Sequence, residues 1–125
     1  MIGFQMSNFK ISEFDSKDGA EMPSDVKMNV IELIDNLNVL RQELGSPLFV
    51  NSGYRSPEHN KSIGGSLNSQ HLIGKAADIR SNEYTPKQIK EKIEELIKVG
   101  KMKQGGLSAY NTFVHYDIRG KKARW

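Results

Sequence analysis

The sequence of 125 residues contains no cysteine. Disulfide frameworks, cysteine-ligated zinc or iron–sulfur sites and thiol catalysis are therefore excluded. Any metal must be held by His, Asp or Glu, and only three histidines are available. No apolar run approaches the roughly 18 to 20 residues that a membrane-spanning helix needs. The first residues have neither the basic leader nor the apolar segment of a signal peptide, so we expect synthesis in the cytoplasm and no membrane insertion.

The chain carries no net positive charge outside the last seven residues. The formal net charge is +3, and removing the four positive charges of Arg119, Lys121, Lys122 and Arg124 leaves −1. This charge is too small and too local for a nucleic-acid groove, so we expect no nucleic-acid partner. The sequence leaves open whether the basic tail is a solvated segment or whether Trp125 packs back on the sheet.

Length and composition are typical of one soluble domain. Hydrophobic residues make up 37% of the chain and charged residues 26%, and no repeat or linker divides it. We expect a single, monomeric domain over residues 1–125, with an irregular lead-in over 1–23.

The periodicity of apolar residues predicts an α+β domain. Apolar residues spaced 4, 3, 4, 3 and 4 apart from Val26 to Leu44 predict a helix, with Ser24 as its N-cap and Gly45 as its end. A second helix is predicted over residues 86–99, with a capping box formed by Thr85 and Gln88 at its start. Strands are predicted over 48–52, 76–80, 106–110 and 113–118, and a long polar loop over 53–72, in which one helical turn could begin at Pro57. This order favours helices against a small, mostly antiparallel sheet.

Three residues could form a metal site. His71 stands in a loop, and Gly74 allows the chain to turn between it and the strand residue Asp78. His115, on a later strand, shares a face with Asp117. Two histidines and one carboxylate would leave a fourth position on zinc open for water. By pattern alone, His71 could equally be a hydrogen-bonding loop residue and Asp78 a capping or salt-bridge residue.

Three segments in order carry a family resemblance. They are SGYRS at residues 52–56, the Ser, His, Gly, Ala and Asp pattern over 69–78, and FVHYD at 113–117. Together they resemble the zinc D-Ala-D-Ala carboxypeptidase family. That family includes L-alanyl-D-glutamate endopeptidases of phage endolysins, and its fold is shared by the hedgehog signalling domain. The resemblance runs from about Phe9 to Trp125 and implies this fold, in the compact form common in phages and bacteria.

The resemblance also implies roles for individual residues. One zinc ion would be held by His71, Asp78 and His115. Arg55 would bind substrate and neutralise its carboxylate or carbonyl charge during catalysis. Ser69 and Gln70 would either orient His71 or contact substrate. His59 matches no ligand position.

The resemblance does not identify a general base in this chain. Many relatives have Glu or Asp three residues before the last ligand, or His two residues before it, where this chain has Thr112 and Phe113. Asp117 is the best replacement as a catalytic base. The alternative is that Asp117 only holds His115 or Arg119 in place.

The implied activity is hydrolysis of the peptide stem of peptidoglycan by a zinc-activated water molecule. The bond would be the terminal D-Ala-D-Ala bond or the L-Ala-D-Glu bond, and the protein would reach the wall after release, as in phage lysis, or as a virion component. The alternative is a non-catalytic, zinc-stabilised module that binds the cell wall or a partner. An inert virion or scaffold component is a third possibility.

Overall fold

The computed structural model describes residues 9–125, which form three α-helices and five β-strands. The helices are α1 (Ser24–Leu44), α2 (Pro57–Ser62) and α3 (Pro86–Lys98). The strands are β1 (Phe49–Ser52), β2 (Ala76–Arg80), β3 (Gly106–Ala109), β4 (Val114–Asp117) and β5 (Ala123–Arg124). Two short 3-10 helices span Ile11–Phe14 and Gln70–Ile73. The predicted α+β class is confirmed.

The strands form one sheet in the order β1-β2-β4-β3-β5. All neighbours are antiparallel except β3 and β5, which run parallel, so the sheet is mostly antiparallel as predicted. The prediction did not include β5. This two-residue strand at the sheet edge shows that the segment after β4 packs back on the sheet.

The two faces of the sheet have different chemistry. Side chains alternate along a strand, so the apolar residues share one face, where they join the core formed with the helices: Ala77, Ile79, Leu107, Val114 and Tyr116. The other face carries the polar side chains that lie between them: Asp78, Ser108, His115 and Asp117. The helices therefore cover one face and leave the other for a polar site.

Helix α1 supplies most of the helical part of the core. Its predicted apolar residues are buried, and Gly45 ends it in the left-handed conformation. The predicted cap is wrong by one residue: Pro23 occupies the N-cap position, and Ser24 is the first helical residue. In α3 the predicted capping box of Thr85 and Gln88 is confirmed. No helix within residues 9–125 is long and apolar enough to cross a membrane.

The described part of the predicted lead-in is tied to the loop before the site. Phe14, in the first 3-10 helix, is fully buried, and its carbonyl accepts a hydrogen bond from the Tyr54 amide at 2.8 Å. A Cβ atom at Gly53 would lie 2.6 Å from the Cα of Phe14, so this close approach requires glycine. Residues 1–8 of the lead-in lie outside the described residues.

Gly74 is needed both for its backbone conformation and for its lack of a side chain. Its φ is +75°, and a Cβ atom would lie 2.7 Å from Val26 Cγ1 and 2.8 Å from the Val26 carbonyl oxygen. Gly100 has a similar φ of +80°, with nothing within 4 Å of a Cβ atom. The two positions therefore separate backbone strain from steric clash.

We expect Gly100→Ala to lower the free energy of unfolding by about 1 kcal/mol through backbone strain alone. Gly74→Ala should lower it by about 3 kcal/mol, because α1 must also move. Urea denaturation of both variants measures the difference. Equal losses of unfolding free energy in the two variants would contradict a steric clash between a Cβ atom at position 74 and α1.

Candidate metal centre

Sheet pairing brings Asp78 and His115 together. The two residues are direct partners in the β2–β4 register, so their side chains leave the sheet on the same face. Asp78 Oδ1 lies 3.2 Å from His115 Nδ1. Both residues are buried.

His71 reaches the same point from the second 3-10 helix. Ser69 caps this helix, its Oγ accepting a hydrogen bond from the His71 amide at 3.2 Å, and Gly74 ends it. His71 Nε2 then lies 3.3 Å from Asp78 Oδ1. One ligand atom each from His71, Asp78 and His115 lies within 4.8 Å of the others. The structure thus brings the three predicted ligands together in one buried cluster.

The remaining nitrogen of each imidazole has an oxygen acceptor. His71 Nδ1 lies 2.7 Å from the Gly53 carbonyl oxygen, which can only accept, so this nitrogen carries the proton. His115 Nε2 lies 2.7 Å from Asp117 Oδ2. In the neutral imidazoles the lone pairs are therefore on His71 Nε2 and His115 Nδ1, both beside Asp78. This is the arrangement that zinc-binding histidines require, so the residues present fit a zinc ion.

The electrostatics of the cluster keep Asp78 ionised. Burial alone would raise the pKa of Asp78, but hydrogen bonds with His115 and His71 hold it well below its usual range. Burial also opposes a charge on His115, yet Asp117 and Asp78 together raise its pKa. A metal would bind an ionised carboxylate here and would compete with a proton for His115.

The cluster lies at the bottom of a cleft of about 620 Å³. One wall is polar and is formed by Ser66, Asn68, Ser69 and Gln70. The other wall is aromatic and is formed by Tyr110, Phe113 and Trp125. Arg55 and Arg119 place two positive charges in the same cleft. The position of Ser69 and Gln70 is compatible with both predicted uses, orienting His71 and contacting substrate.

Arg55 is fixed against Asp78, one of the candidate metal ligands. Its Nη2 donates to Asp78 Oδ2 at 3.2 Å, its Nε to Ser52 Oγ at 3.1 Å and its Nη1 to Asn60 Oδ1 at 3.4 Å. Burial lowers the pKa of Arg55, and the nearby Asp78 charge partly opposes this. The guanidinium remains charged because its ordinary pKa is far above neutral.

Asp117 does not face the cleft. It is fully buried behind His115 and accepts hydrogen bonds from the Gly106 amide at 2.8 Å and from Arg119 Nε and Nη2 at 2.9 and 2.8 Å. Burial would raise the pKa of Asp117, but its bonds to His115, Arg119 and Gly106 hold it well below its usual range. This placement favours the interpretation that Asp117 holds His115 and Arg119 rather than acting as the base.

Neither of the other base positions supplies a base. Thr112 is exposed in the turn between β3 and β4. The Phe113 ring stacks on Tyr110 with centroids 4.6 Å apart. The third histidine, His59, lies in α2 outside the cluster.

Sequence reasoning missed the network that holds the Arg55 loop. Asp18 Oδ2 accepts from Ser56 Oγ at 2.6 Å, and Asp18 Oδ1 accepts from Ser16 Oγ at 2.7 Å. Ser56 is the N-cap of α2, which carries the Arg55 partner Asn60. These hydrogen bonds lower the pKa of Asp18 to about 2, and the bond from Ser16 has the largest effect. The Gly53 carbonyl was also missed, since any residue carries one and no sequence signal marks it.

Similarity to known proteins agrees with this geometry. The sequence model of the peptidase M15 family matches residues 3–117. The chain belongs to the peptidase M15 family. Over 79 residues it is 29% identical to a zinc D-Ala-D-Ala carboxypeptidase of Streptomyces albus G. That match covers 62% of this chain and 31% of the relative, so the chain spans about a third of the relative's length.

We expect the acid sensitivity of this peptidase M15 member to depend on Asp18. The folded-state pKa of Asp18, about 2, lies below the unfolded value of about 3.9. The ionised carboxylate therefore stabilises the fold above about pH 4, and this contribution is lost as the pH falls towards 2. Asp18→Asn should show a smaller loss of melting temperature between pH 4 and 2 than the wild type. Asp15→Asn, an exposed residue of the same segment, is the control, and equal pH dependence in all three proteins would contradict the expectation.

Asp117→Asn should weaken zinc binding by about 10- to 100-fold, because it removes the charge that orients His115. Competition with a chelator measures the affinity, and Asp35→Asn on the exposed side of α1 is the control. Unchanged zinc affinity combined with loss of peptide hydrolysis would instead identify Asp117 as the base.

Proposed function

We propose that this protein is a zinc peptidase that hydrolyses the peptide stem of peptidoglycan. The observation that carries the proposal is the convergence of His71, Asp78 and His115, with each imidazole held in the tautomer that leaves a lone pair for the metal. Membership of the peptidase M15 family supports the reaction class. The name of the Streptomyces relative supports the metal and the substrate.

His71, Asp78 and His115 would hold one zinc ion. A zinc ion with three protein ligands lowers the pKa of a water molecule and polarises a substrate carbonyl. Arg55, bonded to Asp78 at the edge of the cluster, adds a fixed positive charge where a carbonyl oxygen gains negative charge during attack. The polar wall at Ser69 and Gln70 offers hydrogen-bonding groups to a peptide backbone.

Two peptide bonds of the stem fit this proposal. Cleavage of the D-Ala-D-Ala bond would release D-alanine, and cleavage of the L-Ala-D-Glu bond would release a peptide that begins with D-glutamate. The bacterial wall is the proposed place of action in either case, with access after phage-type release or from a virion.

A zinc-stabilised binding module is the second candidate. It is favoured by one observation: among residues 9–125, Asp78 is the only Asp or Glu whose side chain lines the cleft, and Asp78 is itself a proposed ligand. Such a module would bind stem peptides through the same cleft and release no product.

We expect His71→Ala and His115→Ala to lose bound zinc and to reduce hydrolysis by at least about a thousandfold, since each removes a ligand. His59→Ala removes a histidine outside the cluster and should retain both properties. Zinc content is measured by atomic absorption, and products from purified peptidoglycan by mass spectrometry.

The products distinguish the candidates. Free D-alanine would identify a carboxypeptidase, and new amino-terminal D-glutamyl peptides an endopeptidase. Folded, zinc-loaded wild-type protein that binds stem peptides without releasing either product would contradict the peptidase and leave the binding module.

A further inference from the structure

Part of the cleft lining comes from residues beyond the family match. The match ends at residue 117, whereas Arg119 and Trp125 both line the cleft. Arg119 follows β4 and Trp125 follows β5, so both approach the metal ligands from the β3–β5 side of the sheet. Arg55 approaches from the β1 side.

The last strand is firmly attached. Arg124 forms a two-pronged ion pair with Glu94 at 2.8 and 2.9 Å, and β5 pairs in parallel with β3. The Trp125 carbonyl accepts from Ser108 Oγ at 2.7 Å, and its indole Nε1 donates to the Tyr110 hydroxyl at 2.7 Å. The indole is therefore held in place although 54% of the residue is exposed.

The Trp125 ring connects the metal ligands with Arg119. Its centroid lies 5.0 Å from that of His115, and the Arg119 guanidinium carbon lies 5.7 Å from it. This distance is within the range of a cation–π contact. Gly106 leaves space for the guanidinium, since a Cβ atom there would lie 2.8 Å from Arg119 Nη2.

The two arginines differ in what they can offer a ligand. All three guanidinium nitrogens of Arg55 have protein acceptors, and its side chain is 14% exposed. Arg119 donates from Nε and Nη2 to Asp117, and its side chain is 32% exposed. Within residues 9–125, the hydrogen bonds of the Arg119 side chain come from Nε and Nη2, and Nη1 makes none. The pair with Asp117 thus fixes the guanidinium and leaves one nitrogen for a ligand in the cleft.

We propose that Arg119, supported by Trp125, binds a free carboxylate on the substrate residue that leaves after hydrolysis. The inference rests on the proposed function. In both candidate bonds the residue on the leaving side carries a free α-carboxylate next to the bond that breaks. Arg55 then stabilises the charge on the carbonyl oxygen of the bond that breaks. Arg119 determines specificity by binding the carboxylate. A guanidinium–carboxylate hydrogen bond is charge-assisted on both sides, so it discriminates against an uncharged amide.

The experiment compares two stem peptides that differ only in whether the α-carboxyl group of the leaving residue is free or amidated. Wild-type protein should have a KM at least about tenfold lower for the free acid. Arg119→Gln should lose this preference. Arg55→Gln should lower kcat and keep the preference, and Lys121→Gln, an exposed charge of the same segment, should behave as wild type.

The ratio of the KM values for the two peptides separates carboxylate binding from structural damage. Any loss of zinc caused by freeing Asp117 affects both peptides equally and cancels in the ratio. Arg119→Lys keeps the positive charge but lacks the planar, two-pronged set of donors of a guanidinium. It should retain part of the preference for the free acid. Equal KM values for the two peptides in the wild type, or a preference that persists in Arg119→Gln, would overturn the inference.

Binding without turnover gives an independent readout. Trp125 is the only tryptophan of the chain, so intrinsic tryptophan fluorescence reports on this wall alone. In zinc-loaded protein, N-acetyl-D-alanine should perturb the emission at about tenfold lower concentration than N-acetyl-D-alaninamide, and Arg119→Gln should abolish the difference. If neither peptide is cleaved but this difference is found, the carboxylate site stands and the peptidase proposal fails. Equal titrations in the wild type would count against the carboxylate site.

Discussion

The register between β2 and β4 is the constraint on which the site depends. It sets Asp78 directly opposite His115, on the face that the helices leave open. A slip of one residue would turn Asp78 or His115 into the apolar core and bring Ala77 or Val114 to the site face. The buried apolar residues on the other face therefore help to fix Asp78 and His115, because a slip of one residue would bring Ile79 or Tyr116 out of the core. Core packing and the positioning of the ligands are one requirement.

The ionisable groups of the site are buried beside partners of opposite charge or hydrogen-bonding character. Burying any of these charges without a partner would destabilise the fold. Asp78 is partly removed from water, and two imidazoles and one guanidinium surround it. Asp117, fully buried, is balanced in the same way by His115 and Arg119. An unpaired buried carboxylate would be strongly destabilising, so each acid requires its partners. A divalent cation would add positive charge beside Asp78, where the structure already holds that carboxylate ionised.

Local patterns predicted the elements that depend on local interactions. Helices α1 and α3 and strand β2 follow from apolar periodicity, Gly45 and the Thr85 capping box. Strand β5 has two residues and no apolar alternation, so its pairing depends on tertiary contacts such as the Arg124–Glu94 ion pair. The three ligands were predicted by resemblance, whereas their spacing in sequence alone left other interpretations open. The Asp18 network and the Gly53 carbonyl depend on the three-dimensional path of the chain and had no sequence signal.

Asp117 shows why a residue's face does not determine its chemistry. Strand alternation correctly places it on the same face as His115, which made it a reasonable candidate base. The structure gives its two oxygens to His115, Arg119 and the Gly106 amide. Accepting a proton would weaken these bonds, and the same bonds lower the basicity of the carboxylate. The contact that would prepare His115 to bind a metal thus also makes Asp117 a poor proton acceptor.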